Sequence, residues 1–438
     1  MQDEEKHMLY PNLTTNDAGH LCFAGLDVCD LAQEFGTPLY LLDEDRVREN
    51  CRTYVQAVKK YLPQGSMPLF ASKALCFKGI YPVIASERMG ADVVSGGEAA
   101  TALAAGFPAD LLYFHGTNKT DEEIAYGVAN GIGTFVVDNA NELKVLGEEA
   151  TKRGITQKVL LRVTVGLDPH TFAAVNTGRV DSQFGVPIET GQALQFTKLA
   201  LETEGVEVAG FHSHIGSQIF EADSFCDQVD RLLAFACDVR DELGFVADTF
   251  NLGGGFGVRY VESDAHVDIA GNIRQIAEHL QAGCEQAAYP MPRVMLEPGR
   301  SIVADAGATL YSAGGTKRIE GYRNYVTVDG GMTDNPRYAL YKSAYTIVNA
   351  SRATDAADFC CTIAGRCCES GDRIAEDIQI AEPSRGDIIC VLTTGAYNYA
   401  MSNNYNRVPR PALVMVADGK ARLAVRRQTI DDLLALEL

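Results

Sequence analysis

The segment TFVVDNANELKVLGEEATKRGITQKVLLRVTV, residues 134–165, contains one complete strand–helix–strand repeat. Its ends, TFVVD (134–138) and VLLRVTV (159–165), are short apolar runs typical of buried strands. Between them, NELKVLGEEATKRG (141–154) has apolar residues at helical spacing and a glycine at its end. The segment therefore predicts a β/α unit, the element from which parallel α/β folds are built.

Similar apolar runs recur from Met67 onward, separated by helix-like segments such as DEEIAYGVANG (121–131). Eight such units in succession predict an α/β fold with a (β/α)8 barrel of the TIM type. A doubly wound open sheet has the same order of elements, and strand counting alone leaves it open. The candidate strands are PLFASK (68–73), ADVV (91–94), LLYF (111–114), TFVVD (134–138), VLLRVTV (159–165), VAGFHS (208–213), TFNLGG (249–254) and RVMLE (293–297).

The pattern changes after Arg300, where helical periodicity nearly vanishes and strand-like runs predict a second, all-β C-terminal domain. TPLYLLD (37–43) lies outside the barrel count and is expected to join that domain. We therefore predict an N-terminal segment (1–44) that packs with the β domain, a barrel domain (45–305) and the C-terminal β domain (306–438). The runs are YVTVDG (325–330), TIAG (362–365), DIICVL (387–392) and ALVMVADGKARLAV (412–425), an apparent hairpin over Asp418-Gly419.

Composition excludes several classes of function. The chain of 438 residues has a formal net charge of −20, which disfavours binding to nucleic acid or to an anionic membrane surface. The opening MQDEEKHM (1–8) lacks the apolar core of a secretory signal, and no apolar run is long enough to span a bilayer. The twelve cysteines are scattered rather than arranged as a disulfide framework. We predict a cytoplasmic protein with reduced thiols.

In a β/α barrel the chemistry belongs at the carboxyl ends of the strands. The first predicted strand ends in Lys73. Desolvation there would favour the neutral, nucleophilic amine that Schiff-base chemistry needs. A lysine that simply extends from the rim to solvent is the structural alternative.

Two further strand ends carry suggestive motifs. HSHIGSQ (212–218) offers two histidines at i and i+2, which suits either a metal or an imidazole stacked on a flat ring. LGGGFG (252–257) offers backbone amides with no Cβ in the way, which suits a phosphate, although a tight structural turn explains it equally well.

The eighth strand ends in LEPGR (296–300), where Glu297 precedes a turn and Arg300. A carboxylate at a strand end can keep a pyridine nitrogen protonated, whereas a structural Glu–Arg pair is the alternative. A lysine, a phosphate-binding turn, a ring-stacking histidine and a pyridinium partner are together the groups that pyridoxal phosphate requires.

The chain resembles the diaminopimelate decarboxylases, pyridoxal-phosphate enzymes of fold type III that are related to alanine racemase and to ornithine and arginine decarboxylases. The resemblance extends from about Thr37 to about Val425, and its motifs occur in the family's order and spacing. It implies decarboxylation of meso-2,6-diaminopimelate to L-lysine and CO2, the last step of lysine biosynthesis. The motifs are FASK (70–73), ADVVSGGE (91–98), HSHIGSQI (212–219), NLGGGFG (251–257), EPGR (297–300), CCESGD (367–372) and GAYNYAMSNNYN (395–406).

The resemblance assigns the cofactor contacts residue by residue. It implies that Lys73 binds pyridoxal phosphate covalently, His212 stacks on its ring and Glu297 pairs with its pyridine nitrogen. The implied phosphate contacts come from Gly253, Gly254, Gly255, the backbone of Pro298, Gly299 and Arg300, and the hydroxyl of Tyr397.

The substrate's distal end needs a cation for its carboxylate and an anion for its ammonium. The resemblance assigns Arg300 and Arg337 to the carboxylate and Glu369 to the ammonium, with Tyr341 and Tyr397 lining the pocket. Arginine suits bidentate recognition of a carboxylate. Ornithine has no distal carboxylate and would leave a buried guanidinium unpaired.

The cysteine-rich stretch FCCTIAGRCCESGD (359–372) suggests a metal site, a disulfide or a reactive thiol. Adjacent residues of a strand face opposite sides, so a Cys-Cys pair does not readily present both thiols to one metal, and we predict none. The resemblance implies that Cys368 is the acid that protonates the substrate carbon after CO2 leaves. A neutral thiol can donate that proton at neutral pH. The other three, Cys360, Cys361 and Cys367, are interpreted as buried apolar filler.

The family also implies a homodimer in which this loop completes the active site of the partner chain. Two alternatives stay open from the sequence. One is a sister decarboxylase that acts on carboxynorspermidine, glutamate, ornithine or arginine; the other is a non-catalytic barrel relative.

Overall fold

The computed structural model describes residues 9–167 and 181–438. The described chain divides into two compact units. The barrel unit consists of the described parts of Asn50–Gly257 and of His266–Ser301. The sheet unit consists of residues 9–49, Val258–Ala265 and Ile302–Leu438. The domain limits at 44/45 and 305/306 remain a prediction.

The strands are β1 (Leu13–Thr15), β2 (Leu21–Phe23), β3 (Leu26–Asp27), β4 (Leu39–Asp43), β5 (Met67–Ala71), β6 (Gly90–Val93), β7 (Leu112–Phe114), β8 (Thr134–Val137), β9 (Gln157–Thr164), β10 (Val186–Pro187), β11 (Val206–His212), β12 (Thr249–Asn251), β13 (Arg293–Leu296), β14 (Gly307–Ile319), β15 (Arg323–Val328), β16 (Ile347–Asn349), β17 (Phe359–Ala364), β18 (Arg373–Ile380), β19 (Ile388–Leu392), β20 (Ala412–Ala417) and β21 (Lys420–Val425).

The α-helices are α1 (Val28–Phe35), α2 (Glu44–Tyr61), α3 (Ile80–Ser86), α4 (Gly96–Ala104), α5 (Asp121–Ala129), α6 (Ala140–Lys152), α7 (Gln192–Glu202), α8 (Asp223–Leu243), α9 (Ile269–Gln286), α10 (Arg300–Val303), α11 (Arg337–Tyr341) and α12 (Ile430–Leu434). None of the helices in the described ranges combines the length and apolar character that crossing a bilayer requires.

The barrel unit contains a closed parallel sheet. Its strand order is β5-β6-β7-β8-β9-β11-β12-β13, and β13 pairs again with β5. This closure confirms the barrel and excludes the open sheet. The strands are almost continuously buried, as β8 with four buried residues illustrates, because one face points into the barrel and the other packs under helices.

Local sequence signals position the helices around the barrel. Thr120 caps α5 through a reciprocal capping box with Glu123, and Asn139 caps α6 by accepting from the backbone N–H of Glu142. The two helices predicted at 121–131 and 141–154 are therefore confirmed.

The sheet unit is built around a strand order of β18-β17-β15-β14-β4-β20-β21, with β19 pairing with β14 and β16. β4 lies between β14 and β20, so the TPLYLLD segment joins this sheet as expected. The predicted hairpin β20–β21 is present, and its turn residues Asp418 and Gly419 both have positive φ, as a type I′ turn requires. β14 was not predicted, although it is 13 residues long.

Candidate active site

Every strand of the barrel has a polar side chain within two residues of its carboxyl end. Parallel strands of a barrel end on the same face, so these side chains converge there. They are Lys73 after β5, Asp92 in β6, His115 after β7, Asp138 after β8, Arg162 in β9, His212 at the end of β11, Asn251 at the end of β12 and Glu297 after β13.

Glu297 is the centre of a buried polar cluster. Its Oε1 accepts a hydrogen bond of 2.7 Å from Nδ2 of Asn251 and lies 2.8 Å from Nε2 of His115. Its Oε2 lies 3.3 Å from Nε2 of His212. Burial alone would raise the pKa of Glu297, but the two imidazoles hold that pKa well below its usual range. Glu297 is thus an ionised carboxylate in a buried site.

The two histidines beside Glu297 are neutral at physiological pH. Burial lowers the pKa of His212 to about 4, and burial also lowers the pKa of His115. Their ring centroids are 4.9 Å apart at an interplanar angle of 73°. Nδ1 of His212 has no hydrogen-bond partner within the described residues. A neutral imidazole of this kind can lie against a flat ring without the cost of burying a charge.

The second histidine of the H-x-H motif has a different environment. Within the described ranges, the possible metal-ligand group at the strand ends consists of His115, His212 and Glu297 and does not include His214. Burial lowers the pKa of His214 well below its usual range. His214 therefore does not join His212 in this group of three.

The glycine turn after β12 provides open backbone amides. A Cβ on Gly254 would lie 2.1 Å from the carbonyl oxygen of Glu297, and one on Gly255 would lie 2.6 Å from that of Gly216. Only glycine can therefore occupy these positions. Among the described residues, the N–H groups of Gly254 and Gly255 donate to no protein acceptor. Open amides of this kind suit a phosphate, and the phosphate contact itself stays a prediction.

Lys73 and Arg300 lie on turns beyond their strands. β5 ends at Ala71, and Lys73 belongs to a 3₁₀ turn (Ser72–Ala74) in which its side chain is exposed. The expectation that Lys73 is desolvated is therefore wrong for the protein alone, because the strand stops two residues earlier. Arg300 is buried at the start of α10 and donates to Oγ of Ser217 at 3.1 Å.

Arg337 is a buried guanidinium in the sheet unit. It begins α11, is 6% exposed, and donates to the hydroxyl of Tyr260 at 3.0 Å. Its guanidinium carbon also lies 5.6 Å from the ring centroid of Tyr397. Within residues 9–167 and 181–438, Arg337 forms no ion pair with a carboxylate. A buried cation without an anion is costly unless a ligand supplies one.

Tyr397 and Tyr341 lie in the same unit as Arg337 but differ in exposure. Tyr397 is half-buried and has φ of +62°, a left-handed conformation that is strained for an aromatic residue. Tyr341 ends α11 and is 39% exposed.

The loop between β17 and β18 presents Cys368 and Glu369 to solvent, since both are exposed. Asp372 fixes the base of the loop by accepting from the backbone N–H groups of Met332 at 2.6 Å and Cys367 at 2.7 Å. The backbone N–H of Cys368 donates to Oδ1 of Asn406 at 2.7 Å. The loop tip is therefore both held in place and accessible.

The other cysteines of this stretch only partly match their interpretation as filler. Cys361 is buried, whereas its neighbour Cys360 faces solvent, because successive residues of β17 point to opposite sides of the sheet. Cys367 is half-buried. All twelve cysteines are free thiols.

Comparison with known proteins identifies the family. A profile of the pyridoxal binding domain of pyridoxal-dependent decarboxylases matches residues 44–304. Diaminopimelate decarboxylase of Bacillus subtilis is 41% identical over 425 residues, which cover 97% of this chain and 96% of that protein. The crystal structure of the M. jannaschii diaminopimelate decarboxylase in complex with L-lysine has a TM-score of 0.90, with 32% identity and 99% of each chain covered. The Helicobacter pylori enzyme complexed with L-lysine has a TM-score of 0.85, with 29% identity, 94% of this chain covered and 99% of that one.

The chain belongs to the diaminopimelate decarboxylase family. Its cofactor is pyridoxal phosphate. The residues of the barrel unit fit that group, because an ionised carboxylate, a neutral imidazole and unused glycine amides each supply a contact that the cofactor needs.

Sequence reasoning missed several members of this decarboxylase site. His115 and Asn251 contact Glu297 as directly as the predicted His212 does. Burial raises the pKa of Asp92 well above its usual range, and the charge of Glu297 adds to that shift. A polar residue directly after an apolar run, as in LLYFH (111–115), is the signal that could have found His115.

Proposed function

We propose that this protein decarboxylates the D-centre of meso-2,6-diaminopimelate and releases L-lysine and CO2, which is the last step of lysine biosynthesis. The observation that carries the choice of substrate is Arg337, a buried guanidinium without an acidic partner among the described residues. A distal carboxylate would supply the missing anion with charge-assisted hydrogen bonds.

The barrel residues would hold the cofactor. Glu297 would accept a hydrogen bond from the protonated pyridine nitrogen, and His212 would present its neutral ring to one face. The amine of Lys73 would attach the cofactor covalently. When bound, pyridoxal phosphate supplies an electron sink that stabilises the negative charge left by departing CO2. The phosphate contacts would come from Gly253, Gly254, Gly255, the backbone of Pro298, Gly299 and Arg300, and the hydroxyl of Tyr397.

The sheet unit would recognise the rest of the substrate and return the proton. Arg337 would bind the distal carboxylate, together with Arg300 of the barrel unit, and Glu369 would bind the distal ammonium. Tyr341 would line the pocket. Cys368 would donate its thiol proton to the substrate carbon from which CO2 has left.

We further propose that the protein acts in the cytoplasm as a homodimer in which the Cys368 loop completes the site of the partner chain. The exposure of Cys368 and Glu369 supports this assembly. A proton donor and a substrate-binding carboxylate must contact the substrate, and on this loop, which Asn406 holds in place, both would be available to a partner chain. In a dimer of this kind, a monomer would lack the proton donor.

Sister decarboxylases remain the competing candidates. Ornithine and arginine lack a distal carboxylate and would leave Arg337 unpaired, which costs about 1–3 kcal/mol or more for a buried charged group. Glutamate keeps a distal carboxylate but has no distal ammonium for Glu369, whereas the distal end of carboxynorspermidine is an amine without a carboxylate.

The test is CO2 release by purified protein with pyridoxal phosphate and each substrate offered separately. Release from meso-diaminopimelate alone, with stoichiometric lysine, is the expected result. Release from glutamate, carboxynorspermidine, ornithine or arginine instead would overturn the assignment of Arg337 and Glu369. Bound cofactor without any release would favour a non-catalytic relative.

A further inference from the structure

A buried ion pair lies in the barrel unit outside the cluster around Glu297. Nζ of Lys119 is 2.6 Å from Oε1 of Glu142, and their side chains are 0% and 3% exposed. Nζ also donates to the carbonyl oxygens of Val136 at 2.8 Å and Gly116 at 3.0 Å, so all three of its protons are used. A buried ion pair adds little net stability relative to apolar residues of the same volume. Its role must therefore be sought in what it positions.

One side of the pair contacts the loop that carries His115. Gly116, which accepts from Lys119, directly follows His115, whose Nε2 is 2.8 Å from Oε1 of Glu297. Gly116 has φ of +125°, and a Cβ there would lie 3.1 Å from the carbonyl oxygen of Val94. The loop is therefore closely packed, and a shift of Gly116 would move His115.

The other side of the pair contacts the end of the next strand. Oε2 of Glu142 accepts from the backbone N–H of Asp138 at 3.1 Å. Oδ1 of Asp138 in turn accepts from the backbone N–H of Gly185 at 2.8 Å and lies 3.8 Å from Nε of Arg162. The pair thus connects two neighbouring strand ends, β7 and β8, to side chains of the cofactor site.

We propose that Lys119 and Glu142 are positioning residues that hold His115 and Asp138 in place and thereby set the orientation of Glu297 toward the cofactor ring. This inference rests on the cofactor site of the proposed function and adds to it two residues that touch neither cofactor nor substrate.

The charge of Lys119 also bears on the state of His115. Burial lowers the pKa of His115, the charges of Arg162 and Lys119 lower it further, and Glu297 raises it. The groups facing His115 are therefore Glu297 directly after β13, His212 from β11, Arg162 from β9 and Lys119 from its own loop. Loss of Lys119 would raise the pKa of His115, and a protonated His115 would compete with the pyridinium for Glu297.

The test compares two double variants as holoenzymes. Lys119→Met with Glu142→Gln removes both charges, and Glu142→Gln keeps an acceptor for the N–H of Asp138. The matched control is Lys144→Met with Glu148→Gln. This pair lies on α6, the helix that carries Glu142, and its side chains are 76% and 67% exposed. Each protein is titrated with pyridoxal phosphate, and the circular dichroism of the bound cofactor and the pH profile of turnover are recorded.

We expect the buried double variant to lose turnover by roughly tenfold to a hundredfold, as small displacements of catalytic groups do. Its cofactor dichroism should fall and the acid limb of its pH profile should move to higher pH, whereas the control should match the wild type. A folded variant with wild-type cofactor affinity, dichroism and pH profile would overturn the proposal.

A second variant covers the case in which the double variant does not fold. Glu142→Asp keeps the charge and both carboxylate oxygens but shortens the reach toward Lys119 and Asp138, and the same loss of cofactor dichroism is expected to a smaller degree. Unchanged dichroism in that variant would also count against the proposal. The cofactor measurements need no substrate, so they stand even if meso-diaminopimelate proves not to be decarboxylated.

Discussion

The amide of Asn251 donates a hydrogen bond of 2.7 Å to Oε1 of Glu297. The same side chain accepts the backbone N–H of Gly253 at 2.9 Å through its Oδ1. One asparagine therefore connects Glu297, the predicted partner of the pyridine nitrogen, to the predicted phosphate turn at Gly253. It thereby fixes the distance between the groups that would bind the two ends of the cofactor.

Replacement of Asn251 by alanine should weaken both contacts. Because Glu297 would lose a buried donor, we expect a loss of about 1–3 kcal/mol in the free energy of unfolding, together with weaker binding of pyridoxal phosphate. Urea unfolding and cofactor titration measure the two effects. Asn130→Ala, at an exposed helix end, is the control. Full cofactor affinity in the Asn251 variant would argue against this linking role.

Replacement of Lys73 by alanine should abolish covalent attachment of the cofactor, because no amine would remain at that position. The absorbance band of the lysine-attached cofactor should be replaced by that of the free aldehyde, and CO2 release should stop. Lys78→Ala changes an exposed lysine of the same segment and should leave both unchanged. Survival of the absorbance in Lys73→Ala would remove Lys73 from its assigned role.

Replacement of Cys368 by alanine should separate cofactor binding from turnover. The variant should bind pyridoxal phosphate normally, since Cys368 is exposed on a loop of the sheet unit, but it should lose most of its turnover without the proton donor. Absorbance and lysine formation measure these two properties. Cys360→Ala, which alters an exposed thiol on β17, serves as the matched change. Near-wild-type rates in Cys368→Ala would assign the acid to another group.

Replacement of Arg337 by glutamine should raise KM for meso-diaminopimelate and lower stability modestly. Charge-assisted hydrogen bonds contribute about 1.5–3 kcal/mol, which corresponds to about 10- to 150-fold in KM. The free energy of unfolding should fall as well, because Arg337 also donates to the hydroxyls of Tyr260, Tyr345 and Ser343. Steady-state kinetics measure KM and urea unfolding measures the free energy of unfolding. Arg366→Gln, at an exposed position, is the control for both. An unchanged KM would exclude Arg337 from the substrate site.

Stability of the cofactor-free protein should fall on mild acidification. Burial lowers the pKa of His212 from 6.5 to about 4. A histidine with a lowered folded-state pKa contributes stability that is present above the unfolded pKa and is lost as the pH falls toward the folded value. We expect His212 to account for a loss of about 2 kcal/mol between pH 7 and pH 5. Urea unfolding at the two pH values should show a smaller loss for His212→Gln than for the wild type; equal losses would contradict the assignment.

The barrel was predictable because each β/α unit carries its own signal. Apolar runs of strand length alternate with capped helices such as α5 and α6, and these patterns are local. For Lys73 the sequence left two alternatives, a desolvated amine and a lysine that extends from the rim to solvent, and the structure decides for the second because β5 ends at Ala71 rather than two residues later. β14 also escaped notice, since its run of small residues lacks the β-branched pattern of a typical strand.

The sequence by itself determined the order of the eight β/α units, the predominance of β structure in the C-terminal part and the chemical identity of the groups at four strand ends; the short helices α11 and α12 show that this part is mostly rather than entirely β. Only the tertiary structure decided that β13 pairs with β5 to close the barrel, that His115 and Asn251 converge on Glu297, and that Arg337 is buried against Tyr260 without an acidic partner in the described chain. The physical reason is the separation of these residues along the sequence. Periodicity and capping act within a few residues, whereas Asn251 and Glu297 are 46 positions apart and Arg337 and Tyr260 are 77 apart, so long-range strand pairing and packing alone bring them together.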